Sequence, residues 1–432
     1  MTGLSAKAAM RRYLILTALR WIPPGLVFPV LIMLPLSRGL SLSELGLAAA
    51  MQGLVVFALE LPTGGLADSL GRRPVLVLST VVSIVSIGLF LVAHSFAAFA
   101  IAFALQGVYR ALDSGPLDAW YVDTARSADP DAPIGKGMSA QGTVLGVAIA
   151  AGSLASGGLV ALHPIPGIDP LVGPVIFALA VQVVGLTTIL LLMTEQRSAA
   201  GIRGVMRSVV AVPSTIAAGV GLLRQSRVLL ALVGVELFWG FGMVCFESLM
   251  PVRLAEVVGG NEAAAAVTGP VVAVAWIASA GGSAVTPLLT RWIGVAPTAA
   301  LMRVLQGITV AGMGFFAGLG GIIAAYIACN AVHGTSNAVH MTLLHRQAED
   351  RVRATVVSLN SWISQPAGAL GVIVMTAFAQ ATSVSMAMYV GAIVLAAAAP
   401  LYLPAWRQSR MDAVQVPAPR APQPLDAETT MT

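Results

Sequence analysis

Seven ionisable side chains stand inside stretches that are otherwise apolar: Arg20, Glu60, Arg110, Asp113, Asp118, Glu236 and Glu247. A charge held at the middle of a bilayer costs roughly 2.5–3.5 kcal/mol even on lenient insertion scales, so such residues face water or a protein interior and mark a working site. The chemistry open to a buried carboxylate is to be charged and neutral by turns and so to carry a proton. Glu60, Asp113 and Glu236 are the candidates. Asp113 follows Arg110 by one helical turn, which holds it ionised unless substrate or a rearrangement separates the two. Arg20 and Glu236 lie at matched positions early in their apolar runs and could pair across a cavity, either as a moving couple or as a static pair that sets packing. Glu247, near the end of its run, reads as a solvated mouth residue.

Uncharged polar residues extend the pattern. Asn330, His333, Asn337 and His340 recur at spacings of one helical face, as do Gln106, Arg110 and Asp113. His333 and His340 could titrate or simply line a wet face. Trp21, Trp239 and Phe238 offer stacking surface to a substrate or to neighbouring helices. Pro23 and Pro24 remove helix hydrogen bonds and predict a bend; Gly142 and Gly146 predict close helix packing. Cys245 and Cys329 fall in apolar segments and suit neither a metal site nor a disulfide. No metal and no cofactor is expected.

The elements that must position these residues are long. Of 432 residues, 57% are hydrophobic and 10% charged, whereas a soluble domain carries about 25% charged residues. About 20 apolar residues cross the hydrocarbon core, and twelve segments qualify: 13–36, 45–67, 74–94, 96–119, 137–162, 171–193, 228–251, 266–290, 298–318, 320–344, 354–380 and 383–404. The first is read as an uncleaved helix. The net charge of +5 does not imply nucleic acid, because the basic residues sit in short loops and no basic stripe interleaves with aromatics. Arg38 and Arg253 fall on one side of the membrane and Arg20 and Arg110 inside spans. Every other Lys and Arg, Arg303 included, lies on the side of the termini, which predicts both termini in the cytoplasm.

The predicted architecture is all-α: a six-helix lobe over 1–194, a cytoplasmic connection over 195–227, a second six-helix lobe over 228–404, and a disordered tail over 405–432. In the connection, Ile202, Val205, Met206, Val209 and Val210 share one helical face, with Arg203 and Arg207 off it, as in a helix lying on a membrane surface. The lobes carry a faint repeat. Leu66, Gly71 and Pro74 match Leu289, Gly294 and Pro297 in spacing, and Lys136 matches Arg353. The polar burden falls on spans one, four, seven and ten, the first helix of each three-helix unit, as expected if those four helices line a central cavity.

The loop after span two reads Gly64-Gly65-Leu66-Ala67-Asp68-Ser69-Leu70-Gly71-Arg72-Arg73-Pro74. It resembles the Gly-x-Leu-Ala-Asp-Arg-x-Gly-Arg-Arg/Lys signature of the major facilitator superfamily in spacing and position, with Ser69 where that family has a basic residue. Span four, from Arg110 to Asp123, is similar to a Ser-Gly-x-x-Asp/Glu-Ala variant of bacterial efflux-type members. The resemblance implies twelve helices in two pseudo-symmetric lobes and a cytoplasmic gate built on Gly64, Asp68, Gly71, Arg72, Arg73, Asp118 and Asp123. Asp68 would face the N-terminus of span eleven, where the helix dipole favours an anion, and Arg72 and Arg73 would pair with Asp118 or Asp123. The family's antiporters carry Gly-Pro-x-x-Gly-Gly in span five. Here Ser153 to Gly158 keeps the terminal glycines and lacks the proline, which weakens an antiport assignment.

These readings together predict a monomeric secondary transporter in a bacterial inner membrane. It works by alternating access and couples proton entry to efflux of small amphipathic compounds. Its partners are that substrate, protons and the lipid bilayer. The abundance of Ala and Gly and the excess of Arg over Lys fit a GC-rich bacterial genome. Uptake of a small nutrient or metabolite is the alternative. A membrane enzyme or sensor is a third, for which the sequence offers no catalytic motif.

Overall fold

The computed structural model describes residues 4–64, 66–194, 201–347 and 353–415, and every regular element among them is helical. Twelve long helices follow in order: α1 Ala6–Val27, α2 Leu42–Gly64, α3 Arg72–Val92, α4 Phe96–Asp113, α5 Ile134–Leu162, α6 Gly173–Leu192, α7 Arg227–Glu247, α8 Asn261–Ile293, α9 Val295–Phe315, α10 Leu319–Arg346, α11 Arg353–Ala381 and α12 Val384–Ala397. Shorter helices prolong several of them: Met33–Ser37 beyond α1, Pro116–Ala128 beyond α4 and Leu249–Val258 beyond α7. Among the described residues, eleven of the crossing segments are long and apolar enough to span a membrane. The remaining one, α10, has 28 residues, about 42 Å at 1.5 Å per residue, against a core of about 30 Å. Its asparagines and histidines lower its apolarity, not its reach.

The packing repeats itself. In the first half α1 lies against α5 and α6, and α4 against α2 and α3; in the second, α7 lies against α11 and α12, and α10 against α8 and α9. Each half is thus two three-helix units, and the halves meet through α2 on α11 and α5 on α8. The α2–α11 seam is closed along its length. The Ser43 amide donates to Gln380 Oε1 at 2.8 Å near one end, and Trp362 Nε1 donates to the Phe57 carbonyl at 2.8 Å near the other. Phe57 and Trp362 stack at 4.3 Å.

The α5–α8 seam is closed only in the half remote from the chain termini. A side chain at Gly157 would meet the Ala266 carbonyl and Pro270 at 2.7 Å each, so the two backbones touch where glycine allows it. Nearer the termini, Gly142 on α5 and Ala280, Ala284 and Pro287 on α8, which continue the contacting faces, are exposed. Gly142 and Gly146 were expected to permit close packing. Nothing lies within 4 Å of a side chain added at either, because they sit on this open half.

Three other expectations change. The connection between lobes holds a helix, Gly201–Gln225, which packs on the short helix Leu66–Leu70 and on α2. The side chains of Ile202, Arg203, Val205, Met206, Arg207 and Val209 lie outside the described residues. The segment after 405 is helical as far as Gln415. Pro23 and Pro24 stay within α1; the helix gives way beyond them, in a 3-10 turn at Phe28–Val30 containing Pro29.

Replacing Gly157 with Leu forces a side chain into the closed half of the α5–α8 seam. Overpacking of this kind costs on the order of 1–3 kcal/mol, so the purified protein should melt several degrees lower in detergent. Gly142→Leu, facing open space, should leave the melting temperature unchanged.

Candidate functional site

The first lobe encloses a cavity of about 420 Å³, within the range of small-molecule sites. Its walls come from α1, α2, α3, α4 and α6. Trp21, Phe28, Phe90, Phe103 and Tyr109 supply aromatic surface, Gln52, Gln106, Ser83 and Ser86 supply amides and hydroxyls, and Arg20, Arg110 and Asp113 bring charge. Span four breaks beside it: α4 ends at Asp113, Gly115 adopts φ 94°, and the chain restarts as a helix at Pro116. Arg110 and Asp113 therefore lie near the middle of the crossing, at a place where the helix is interrupted.

Asp113, 6% exposed, is ion-paired with Arg20 Nε, and Arg20 also donates to the Asp113 carbonyl at 2.9 Å. Both charges are thereby neutralised and the last α4 carbonyl gains a donor. Arg20 lies over the Trp21 ring at 5.5 Å. A void of about 30 Å³ bounded by Arg20, Tyr109, Asp113 and Gln182 adjoins the pair, room for a water among polar partners. Arg110, by contrast, is exposed to the cavity, and among the described residues no carboxylate lies within 4 Å of it. The partner expected for Asp113 one turn earlier is thus replaced by Arg20 from α1. A side chain at i−3 on an interrupted helix can turn into the cavity instead.

Below the pair, toward the termini, α1 is fastened to the prolongation of α4. Tyr13 donates to Asp118 Oδ1 at 2.6 Å and stacks on Tyr121 at 4.5 Å. In the signature loop Gly71, at φ 98°, precedes α3; this left-handed conformation favours glycine. Arg72 is ion-paired with Asp123. Arg73 donates to the Leu190 carbonyl at 2.7 Å, at the end of α6. Gly64 closes α2. The side chain of Asp68 and the first side chains of α11 lie outside the described residues.

The second lobe holds a denser polar cluster. Glu236 of α7 is 3.2 Å from His340 Nε2 and 3.9 Å from Arg303 of α9. His340 Nδ1 is 2.9 Å from the Tyr402 hydroxyl, and its Nε2 is 3.3 Å from Asn360 Oδ1. Arg303 donates to Gln306 Oε1 at 3.1 Å and lies 5.0 Å over Trp239, on which His333 stacks at 4.6 Å. None of these residues lines the cavity. Asn330 donates back to the Tyr326 carbonyl at 3.0 Å, and Asn337 is exposed.

Several expectations are corrected by this arrangement. Arg20 and Glu236 do not pair, because each has a counter-charge within its own lobe. Arg303 is not a loop residue. It is 2% exposed, more than two turns into a helix that begins at Val295. The lead helices α1 and α4 line this cavity as expected of them, while α7 and α10 contribute no residue to its wall. Glu247 is partly buried, because Leu249–Val258 carries the span well beyond it. Glu60 accepts from Ser361 Oγ at 3.4 Å across the α2–α11 seam, outside the cavity lining. Tyr13, Tyr109, Gln182, Asn360 and Tyr402 were not anticipated. Lone tyrosines and amides in apolar runs carry no periodic signal that separates them from packing residues.

The Major Facilitator Superfamily profile matches residues 13–372. No curated protein matches the chain. Among solved structures, a bacterial homologue of the human lysosomal transporter Spinster, in an inward-facing and occupied conformation, is similar at a TM-score of 0.76 and 14% identity, over 95% of this chain and 99% of that one. The nucleoside transporter NupG is similar at 0.73 and 10%, over 92% and 99%. A proton-dependent oligopeptide transporter is similar at 0.68 and 14%, over 94% and 100%. Identities this low establish the shared fold alone.

Arg303 and Glu236 are both buried, so removing one partner strands the other. Arg303→Met should cost on the order of 3 kcal/mol, read as a lower melting temperature of the purified protein. Adding Glu236→Gln to that variant should recover part of the loss.

Proposed function

The chain belongs to the major facilitator superfamily and is a multi-pass membrane transporter; from that premise we propose that it is a proton-coupled exporter of small amphipathic compounds, with Asp113 as the coupling carboxylate. The observation that carries this reading is the Arg20–Asp113 ion pair standing in the wall of an amphipathic cavity at mid-span. Protonation of Asp113 removes the ionic part of its contact with Arg20 and loosens α1 from the break in span four, leaving the hydrogen bond from Arg20 to the Asp113 carbonyl. Deprotonation restores the bond. A proton and a conformational change are thereby linked through one contact, and the adjoining void gives water a place beside the carboxylate.

Binding and release then follow alternating access. The seam open toward the termini and the seam closed on the far side exchange roles as the lobes rock. Placing the termini in the cytoplasm, as the Lys and Arg distribution supports, makes the present arrangement one that opens inward along α5–α8 while α2–α11 stays closed. The protein acts as a monomer in a bacterial inner membrane, since one lobe pair contains the whole cavity. Glu60 fits a different task. Its hydrogen bond to Ser361 joins the lobes, so it helps hold the α2–α11 seam, as Arg72 with Asp123 and Asp68 would hold the gate near the termini.

Expression in an efflux-deficient bacterium tests the direction, with tolerance scored across a broad compound panel. The wild type should raise tolerance to some compounds at least fourfold, and Asp113→Asn should abolish the gain at matched membrane expression. In proteoliposomes the same variant should lose accumulation driven by a pH gradient, by tenfold or more, and keep downhill exchange. Loss of both activities would leave Asp113 a structural residue, and an unchanged gradient response would remove it from coupling.

A further inference from the structure

We propose that the first-lobe cavity is built for an amphipathic anion: an oxyanion head set against Arg110, with an aromatic or apolar body along Phe28, Phe90 and Phe103. This rests on the transport reading above and names its substrate class. The cavity is unbalanced in two respects, charge and hydrogen bonding. Of its three charged lining residues, Arg20 and Asp113 cancel, which leaves Arg110 as net positive charge. Glu60 and Glu247 feel the charge of Arg110, yet both lie outside the lining and neither comes within the 4 Å of an ion pair. A guanidinium held at mid-span without a bound counter-charge is what an arriving anion would stabilise.

The hydrogen-bonding inventory points the same way. Gln106, one turn before Arg110, also lines the cavity, and its side-chain amide can donate there. The one carboxylate in the lining is engaged by Arg20. The lining amides and hydroxyls can donate or accept, whereas Arg110 can only donate, so an oxyanion with several lone pairs is the complement of the cavity at Arg110. A cation could lie over the aromatic faces. It would then share a low-dielectric space with Arg110, and the guanidinium donors would remain unmatched.

The test uses three probes on one ring system: 2-naphthalenesulfonate, 2-naphthalenesulfonamide and 2-naphthyltrimethylammonium. Binding to purified full-length protein in detergent is measured by calorimetry and by shift of the melting temperature. The sulfonate should bind the wild type at least tenfold more tightly than either of the others. Arg110→Gln should lose that preference by tenfold or more without changing affinity for the sulfonamide, and Arg110→Lys should keep part of it. The ranking of the three probes on the wild type decides the matter if Arg110→Gln does not fold. Equal or tighter binding of the ammonium or the sulfonamide, no binding of any probe, or a preference that survives Arg110→Gln would overturn the proposal. Sulfonate binding without gradient-driven accumulation would overturn proton coupling and leave the anion site standing. Accumulation of a cation alone would do the reverse.

Discussion

The contact between Arg20 and Asp113 is the constraint on which the first lobe depends. Either charge alone at mid-membrane would be costly, and joined they neutralise each other while the guanidinium also serves the last carbonyl of α4. On the terminal side of this point α1 and the prolongation of α4 are zipped together by the Tyr13 hydrogen bond and the Tyr13–Tyr121 stack. On the far side they diverge, and the space between them is the cavity. The break at Gly115 and the turn at Phe28–Val30 allow that divergence. An uninterrupted pair of helices would stay in contact or separate as straight rods.

The second lobe repeats the packing, with an acid in place of the arginine on its lead helix. Where α1 presents Arg20 to Asp113 on α4, α7 presents Glu236 within hydrogen-bond distance of His340 on α10, and Arg303 from α9 supplies the opposite charge. The lobe-internal pairing has a mechanical consequence. Arg20, Asp113, Glu236 and Arg303 are all paired within their own lobes, so the proposed rocking of the lobes would break none of these ion pairs. A cross-lobe pairing of Arg20 with Glu236 would have bound the halves together with the strongest contact in the molecule, at the place where transport requires them to move. The lobes differ in what surrounds the charge. The second is packed with Trp239, His333, Tyr402 and Asn360, while the first leaves space beside its ion pair.

Much of this was legible in the sequence, for a physical reason. Hydrocarbon permits only long apolar helices, so the twelve crossings and their two-lobe order follow from apolar length. Rarity of charge in such helices made Arg20, Asp113 and Glu236 conspicuous, and the loop from Gly64 to Pro74 marked the family. The partners were not legible. Spacing along one helix reports neighbours on that helix, and so it joined Asp113 to Arg110, whereas the ion pair that forms reaches across to α1. Arg303 was misplaced because a basic residue near a helix start obeys the positive-inside pattern as readily as it enters a core. The prolongation beyond α7 hid the burial of Glu247, since Ser248 and Pro251 look like a helix end and here are only a break within a longer span.

The contacts between lobes are graded in a way that suits motion. Along α2 and α11 the specific contacts are single hydrogen bonds and one aromatic stack: Ser43 with Gln380, Ser361 with Glu60, Trp362 with Phe57. A net hydrogen bond contributes about 0.5–1.5 kcal/mol and an aromatic pair about 0.5–1.5 kcal/mol. These polar and aromatic contacts therefore contribute only a few kcal/mol beyond the packing of the two helices at Gly46 and Gly53. Along α5 and α8 the far half closes through backbone contact at Gly157 and Gly269, which adds no polar bond that must be broken on opening. The stronger charged contacts are confined within lobes. Rigid bodies joined by weak, reversible seams are what alternating access requires, and here the distinction is drawn by which side chains are charged and where their partners lie.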